Sequence, residues 1–282
     1  MLKEKLAEAV RAVVQGVRQG HDLIHCITNP ISINDGANLL LAVGARPIMA
    51  EHPREVAEIT ATAKALALNL GNITDVRMES MLIAGRTARA KGLPVIVDLV
   101  GAACSRLRLE YAQKLIAECR PTVIKGNISE LRAVCGLTAA TTGVEAAAGE
   151  LVTTENAAAY GAIFGRYAKE QGVTLLASGP LDMLVDSEGY LLAANGTAYL
   201  AGITGTGCML NVLAAACLAA AATQGISPRT ACLAACLLLE IAGEQAAESW
   251  RQYGPGSFHI ALLDRINKVT EEELLAAARV IL

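Results

Sequence analysis

From Gly189 to Pro228 the chain carries no Asp, Glu, Lys or Arg, and from Met209 to Ala222 it is built mainly of Ala, Leu, Val and Cys. A helix that is apolar on every side belongs either in a bilayer or at the centre of a large core. This stretch opens with Gly, Asn and Thr, is mostly Ala, and lacks the Lys/Arg flanks and aromatic belt that frame a membrane span. A fully buried core helix is therefore expected, in a protein that does not enter the membrane. The remainder of the 282 residues must cover it from both sides. Hydrophobic residues make up 53% and aromatics 3%, so that interior has to be assembled from Ala, Leu, Val and Ile, as in parallel strands under close-packed helices.

The rest of the chain supplies such strands. Residues 1–19 read as an amphipathic helix, with Leu6, Val10, Val13, Val14 and Val17 on one side. Strands are expected at 23–29, 47–50, 65–71, 94–101, 122–127 and 173–178, with helices at 32–45, 53–65, 77–91, 109–118 and 156–171 between them. A hairpin follows, turning near Glu188 and Gly189, and then helices to the end. Strands alternating with helices of ten or more residues predict βα units around a mostly parallel sheet. Residues 137–156, rich in Thr, Gly and Ala, are expected to be exposed and mobile. No Pro/Ser-rich linker or short repeat divides the chain, so 1–282 reads as one domain.

The formal net charge is -3, with no basic block and few aromatic side chains to stack on bases, which argues against nucleic-acid binding and for a small-molecule partner. The eight cysteines lie among apolar residues with no secretory leader before them, so most are expected to be reduced core residues of a cytoplasmic protein. Cys232 and Cys236, four apart on a helix, lack a companion His or carboxylate and read as packing rather than a metal site. His21, His52 and His259 read as surface or structural.

In an open parallel sheet, ligands bind beyond the carboxyl ends of the strands. "ITGTGC" (203–208) places Gly205 and Gly207 at the start of the apolar helix, where free N–H groups and the helix dipole attract an anion. The plain alternative is a tight turn; the loop is neither a P-loop nor a dinucleotide fingerprint. Cys208 falls in the first helical turn, where a thiol pKa can drop and a thiolate base becomes possible, although a Cys among apolar residues is more often packing. "DLVG" puts Asp98 at one strand end and "KGNISE" puts Lys125, Asn127 and Glu130 at the next. Asn127 and Glu130 could form a capping pair, or the carboxylates could hold Mg²⁺ on nucleotide phosphates. Thr28, Asn29, Asn69 and Gly71 occupy further strand ends, able to bind a polar ligand or simply to close turns.

Taken in chain order, "IHCITNPISINDGANLLLAVGARPIMAE", "LALNLGNITDVRMESMLIAG", "GLPVIVDLVGA", "IKGNISEL", "NGTAYLAGITGTGCML" and "GPGSF" resemble the hydroxyethylthiazole kinase family, the thiamine-salvage branch of the ribokinase-like superfamily. The resemblance implies a single-domain, three-layer αβα sandwich and transfer of the ATP γ-phosphoryl group to the primary alcohol of 4-methyl-5-(2-hydroxyethyl)thiazole. It implies a homotrimer with active sites between subunits, and Mg²⁺ as cofactor. It assigns Cys208 as base with Gly205 and Gly207 as anion hole, and Met49, Gly205, Asn29 and Gly71 to the thiazole. Lys125, Ser178 and Asn127 fall to ATP, and Asp98 and Glu130 to the metal. Three positions depart from the family pattern: Lys125 stands where "RGN" has arginine, "SGP" (178–180) replaces "TGE", and "DLVG" replaces "DPVG". Lysine keeps the charge without the bidentate fork. The missing carboxylate at Pro180 leaves open a kinase for another small hydroxyalkyl heterocycle, such as hydroxymethylpyrimidine, or a thiazole-binding relative without turnover.

Overall fold

The computed structural model describes residues 3–137 and 151–282. Most of the segment expected to be mobile, 138–150, lies outside the described residues. In chain order the elements are α1 (Glu4–Gly20), β1 (Leu23–Ile27), α2 (Ile33–Ala42), β2 (Arg46–Ile48), α3 (Val56–Thr62), β3 (Ala65–Asn69), α4 (Asp75–Lys91), β4 (Val95–Asp98), α5 (Arg106–Cys119), β5 (Val123–Gly126) and α6 (Ile128–Val134). After the undescribed stretch come α7 (Ala157–Gln171), β6 (Thr174–Ala177), β7 (Asp182–Asp186), β8 (Gly189–Ala193), α8 (Thr206–Gln224), α9 (Pro228–Tyr253), α10 (Pro255–Lys268), α11 (Glu271–Ala277) and β9 (Val280–Ile281).

The strands form one sheet in the order β2-β1-β3-β4-β5-β6-β7-β8-β9. The first six are parallel, and β7, β8 and β9 are each antiparallel to the neighbour before them. Every residue of β3, β4, β5 and β6 is buried, as expected of parallel strands covered on both faces. Alternation divides the strands between two cores. Ala65, Ala67, Ile96 and Val123 face the layer that holds α1, α2, α8, α9 and α10; Leu66, Leu68, Val95, Val97 and Ile124 face the layer of α4 to α7. The result is the αβα sandwich.

The charge-free stretch becomes α8, buried from Cys208 to Ala221. By length and composition α8 and α9 could each cross a membrane, but 78% and 89% of their most apolar windows are buried inside this protein. Small side chains let α8 lie close against β1, β3 and β4. Asn211 fixes its height, donating through Nδ2 to the Leu68 carbonyl at 3.1 Å.

One expectation needs correction. The chain does not end in helices alone: Val280 and Ile281 pair with Ala193 and Leu192 as β9. The capping pair expected after β5 is present: Asn127 and Glu130 satisfy each other's backbone N–H groups in a capping box that opens α6. All eight cysteines are free, six of them buried.

Candidate active site

Three strands end in one polar row. The register pairs Asn69 of β3 with Asp98 of β4, and Asp98 with Lys125 of β5. Each lies two residues beyond a side chain that faces α8 (Ala67, Ile96 and Val123), so alternation aims all three toward the start of that helix. There they meet Cys208. Lys125 Nζ stands 3.0 Å from Asp98 Oδ2, with both side chains almost wholly buried. Asn69 Nδ2 donates to Asp98 Oδ2 at 3.1 Å and to Cys208 Sγ at 3.3 Å.

Gly205 explains the helix start. It caps α8 at φ +89° and offers no side chain to the amides of the first turn, so they remain available to an anion. A side chain there would be strained by the backbone and would come within 3.1 Å of Ser32 Cβ. A Cβ at Gly207 would lie 3.6 Å from Lys125 Nζ, which places the ammonium beside the same helix end. Bare amides, the positive end of the dipole and a buried ammonium together form an anion seat.

The thiol differs from the expectation of a lowered pKa. Burial and then the Asp98 charge push Cys208 up, against hydrogen bonding by Ser32 and Asn69 and the charge of Lys125. Asp98 is pushed up to about 6 by burial, even with Lys125 beside it. Burial works against the Lys125 ammonium, but the charge and hydrogen bond of Asp98 outweigh it and hold the group above its ordinary value. At neutral pH the site therefore holds an ion pair next to a protonated thiol.

Glu130 lies at the rim of this row. Its Oε1 accepts from Gly101 N and its Oε2 from Asn127 N, both at 2.8 Å, so it ties the loop after β4 to the start of α6. Asn127 and Ser178 line a neighbouring recess of about 290 Å³ with Ile128, Ser129, Gly179 and Leu181. Lys125, expected beside them, instead points to Asp98. The "SGP" turn is held by Asp182, whose Oδ1 accepts from Gly179 N at 2.8 Å.

The residues that the resemblance assigns to the thiazole come from the loops after β1, β2 and β3. A Cβ on Gly71 would fall 2.5 Å from Asn29 Nδ2, so Gly71 is where the backbone must approach the Asn29 side chain. Met49 packs against the core of α2 and α8, its Cε 3.8 Å from where a Gly36 Cβ would stand. Two side chains that the sequence reading did not single out hold these loops. The buried Arg77 bonds to Glu51 Oε2 at 2.8 Å, to the Asn72 carbonyl at 3.2 Å and to the Thr28 carbonyl, joining the loops after β1, β2 and β3. His25 spans Thr60 Oγ1 and the Ala50 carbonyl, each at 2.8 Å. Ser32, the residue before α2, reaches the thiol. Asn69 was visible in sequence as a polar residue at a strand end, whereas Ser32 and Arg77 meet the site only through the tertiary fold.

The geometry has relatives. The model of the hydroxyethylthiazole kinase family matches residues 14–272. The chain belongs to the hydroxyethylthiazole kinase family. It is 43% identical to hydroxyethylthiazole kinase 2 of Clostridium botulinum (strain 657 / Type Ba4) over 94% of this chain and 97% of that protein. The solved hydroxyethylthiazole kinase of Pyrococcus horikoshii OT3 superposes with a TM-score of 0.84 at 29% identity, covering 97% of this chain and 98% of the other. A ribokinase-like superfamily protein of Enterococcus faecalis V583, 14% identical, shares the fold at a TM-score of 0.57 over 95% of this chain and 84% of its own.

Proposed function

We propose that this chain transfers the γ-phosphoryl group of ATP to the primary alcohol of 4-methyl-5-(2-hydroxyethyl)thiazole, as one domain, in the cytoplasm. The observation that carries the reading is the convergence of Asn69, Asp98, Lys125 and Cys208 on the uncapped first turn of α8. Asn29, Met49, Gly71 and Gly205 would hold the thiazole on the α2 side. Asn127 and Ser178 would hold the nucleotide in the recess between α6 and the "SGP" turn. The substrate oxygen attacks the γ-phosphorus, the bond to the bridging β–γ oxygen breaks, and ADP leaves.

Such transfer passes through a loose transition state, in which positioning and charge stabilisation dominate. The amides of Gly205 and Gly207 and the Lys125 ammonium would receive the charge on the transferring group. Cys208 would accept the hydroxyl's hydrogen bond and, as thiolate, its proton; because burial favours the protonated thiol, orientation is the larger part of its contribution. The residues fit Mg²⁺ bound mainly to phosphates and water. Asp98 takes its two hydrogen bonds on Oδ2, leaving Oδ1 toward a cation, and Glu130, committed through both oxygens to backbone N–H groups, fits better through a bridging water. The ion would supply charge neutralisation at the β- and γ-phosphates. A homotrimer with sites between subunits completes the proposal.

Initial rates of ATP-dependent phosphorylation, with the thiazole alcohol and hydroxymethylpyrimidine offered separately, test it. Selective phosphorylation of the thiazole is expected, and a preference for the pyrimidine would overturn the substrate assignment. Cys208→Ala should retain the fold and lose about 100-fold in kcat; turnover equal to wild type would remove Cys208 from the reaction.

A further inference from the structure

The polar row contains one side chain with no charge and no titration of its own, and it touches both ends of the proposed chemistry. Asn69 Oδ1 accepts from Gly71 N at 2.7 Å. That bond sets which way the amide faces, because a flipped amide would present N–H to N–H. With Oδ1 committed, both Nδ2 hydrogens point across the row, one to Asp98 Oδ2 and one to Cys208 Sγ. All three hydrogen bonds are buried. The fold could have closed this strand end with any small polar residue; an amide is the group that supplies two donors and one acceptor in one plane.

We infer that Asn69 is a positioning residue, whose planar side chain fixes the separation and orientation of the Cys208 sulfur relative to the Asp98 carboxylate while anchoring Gly71 beside the thiazole pocket. The inference rests on the reading of Cys208 and Asp98 as the reacting end of the site. It adds a mechanical link between the phosphate side, at Asp98, and the alcohol side, at Cys208 and Gly71. The N–H on sulfur also opposes the burial that disfavours the thiolate. Ser32 and Lys125 act on the sulfur from other elements, so Asn69 is the link to Asp98 rather than the sulfur's sole support.

The test uses the full chain with Asn69→Ser and Asn69→Leu, read in two independent ways. Steady-state kinetics should show kcat lowered about 100-fold, the effect of misplacing a reacting group, with KM for ATP unchanged. Alkylation of Cys208 by iodoacetamide, followed by peptide mass spectrometry with the exposed Cys104 as internal reference, should slow about tenfold as the donor that stabilises the sulfur anion is lost. Folded variants with wild-type kcat and a wild-type Cys208 alkylation rate would overturn the inference. If the wild-type protein phosphorylates neither alcohol but the variants still slow alkylation, the positioning role stands and the proposed function falls. Should both variants fail to fold, the unmutated ¹⁵N-labelled protein decides: alkylating Cys208 should shift the Asn69 side-chain amide resonances, and unmoved resonances would overturn the link.

Discussion

Asp98 and Asp182 both lie at the carboxyl-end edge of the parallel strands, and both are almost wholly buried, but their charges are settled differently. Asp98 has Lys125 within 3.0 Å. Asp182 has a second acid: Glu240 of α9 lies beside it, Cys236 approaches from one turn earlier, and Glu244 and Arg279 lie beyond. Burial and then the charges of Asp182 and Glu244 push Glu240 well above the ordinary carboxyl range, with only Arg279 opposing. One site is an ion pair, and in the other the surroundings favour the protonated form of Glu240. The difference matches their settings, since an ion pair at the mouth of an anion seat can exchange its cation's partner for a phosphate, whereas Asp182 holds the turn that carries Ser178 and Gly179 by accepting from Gly179 N.

The largest effect is expected from breaking the ion pair. Lys125→Met leaves Asp98 buried without its cation, which costs about 3–5 kcal/mol of stability, and removes a charge from the anion seat, lowering kcat by at least about 100-fold. Adding Asp98→Asn should restore most of the unfolding midpoint and none of the turnover. Recovery of both by the double variant would mean that the pair serves the fold alone.

Glu240→Gln sharpens the contrast, because Gln keeps a donor toward Asp182 without a proton to lose. In the unfolded chain Glu240 ionises above its ordinary value of 4.5, while the folded protein keeps the proton to higher pH. Between those two values the folded state binds more protons, so stability falls as pH rises. The variant should therefore melt a few degrees higher than wild type at pH 8 and alike at pH 4.5. Equal midpoints at both would show that folding does not raise the Glu240 pKa.

The smallest effect concerns His25, whose pKa is lowered by burial, with the Ala50 hydrogen bond and Glu55 opposing. The unfolded chain takes up a proton near the ordinary value of 6.5 where the folded chain does not, so this group's contribution is present above that pH and is lost as pH falls. His25→Gln should flatten the acid limb of the stability profile between pH 6.5 and 5 relative to wild type. Asp98, pushed up to about 6, acts in the opposite sense, which is why the comparison between variant and wild type carries the information.

Much of the sheet was readable because the strands are apolar runs ending in turn residues, and Asp98, Lys125 and Cys208 stood out as polar or reactive groups at those ends. Val280 and Ile281 escaped because two residues have no period; only their pairing with β8 makes them a strand. The α6 helix was visible only as its capping pair, being too short for an apolar stripe. The direction of the Cys208 shift depends on burial and on Asp98, more than a hundred positions away in the chain, while the local first-turn position argues the other way. The Asp182–Glu240 pair is likewise invisible in sequence, since neither residue carries a local mark of the other.

The most direct test of the account follows the γ-phosphoryl group itself, with γ-labelled ATP, Mg²⁺ and the thiazole alcohol incubated with the wild-type protein and with Lys125→Met. The account predicts label in the phosphate ester of the thiazole alcohol with wild type and label still on ATP with the variant. Label released as inorganic phosphate, or ester formed equally by both proteins, would contradict it.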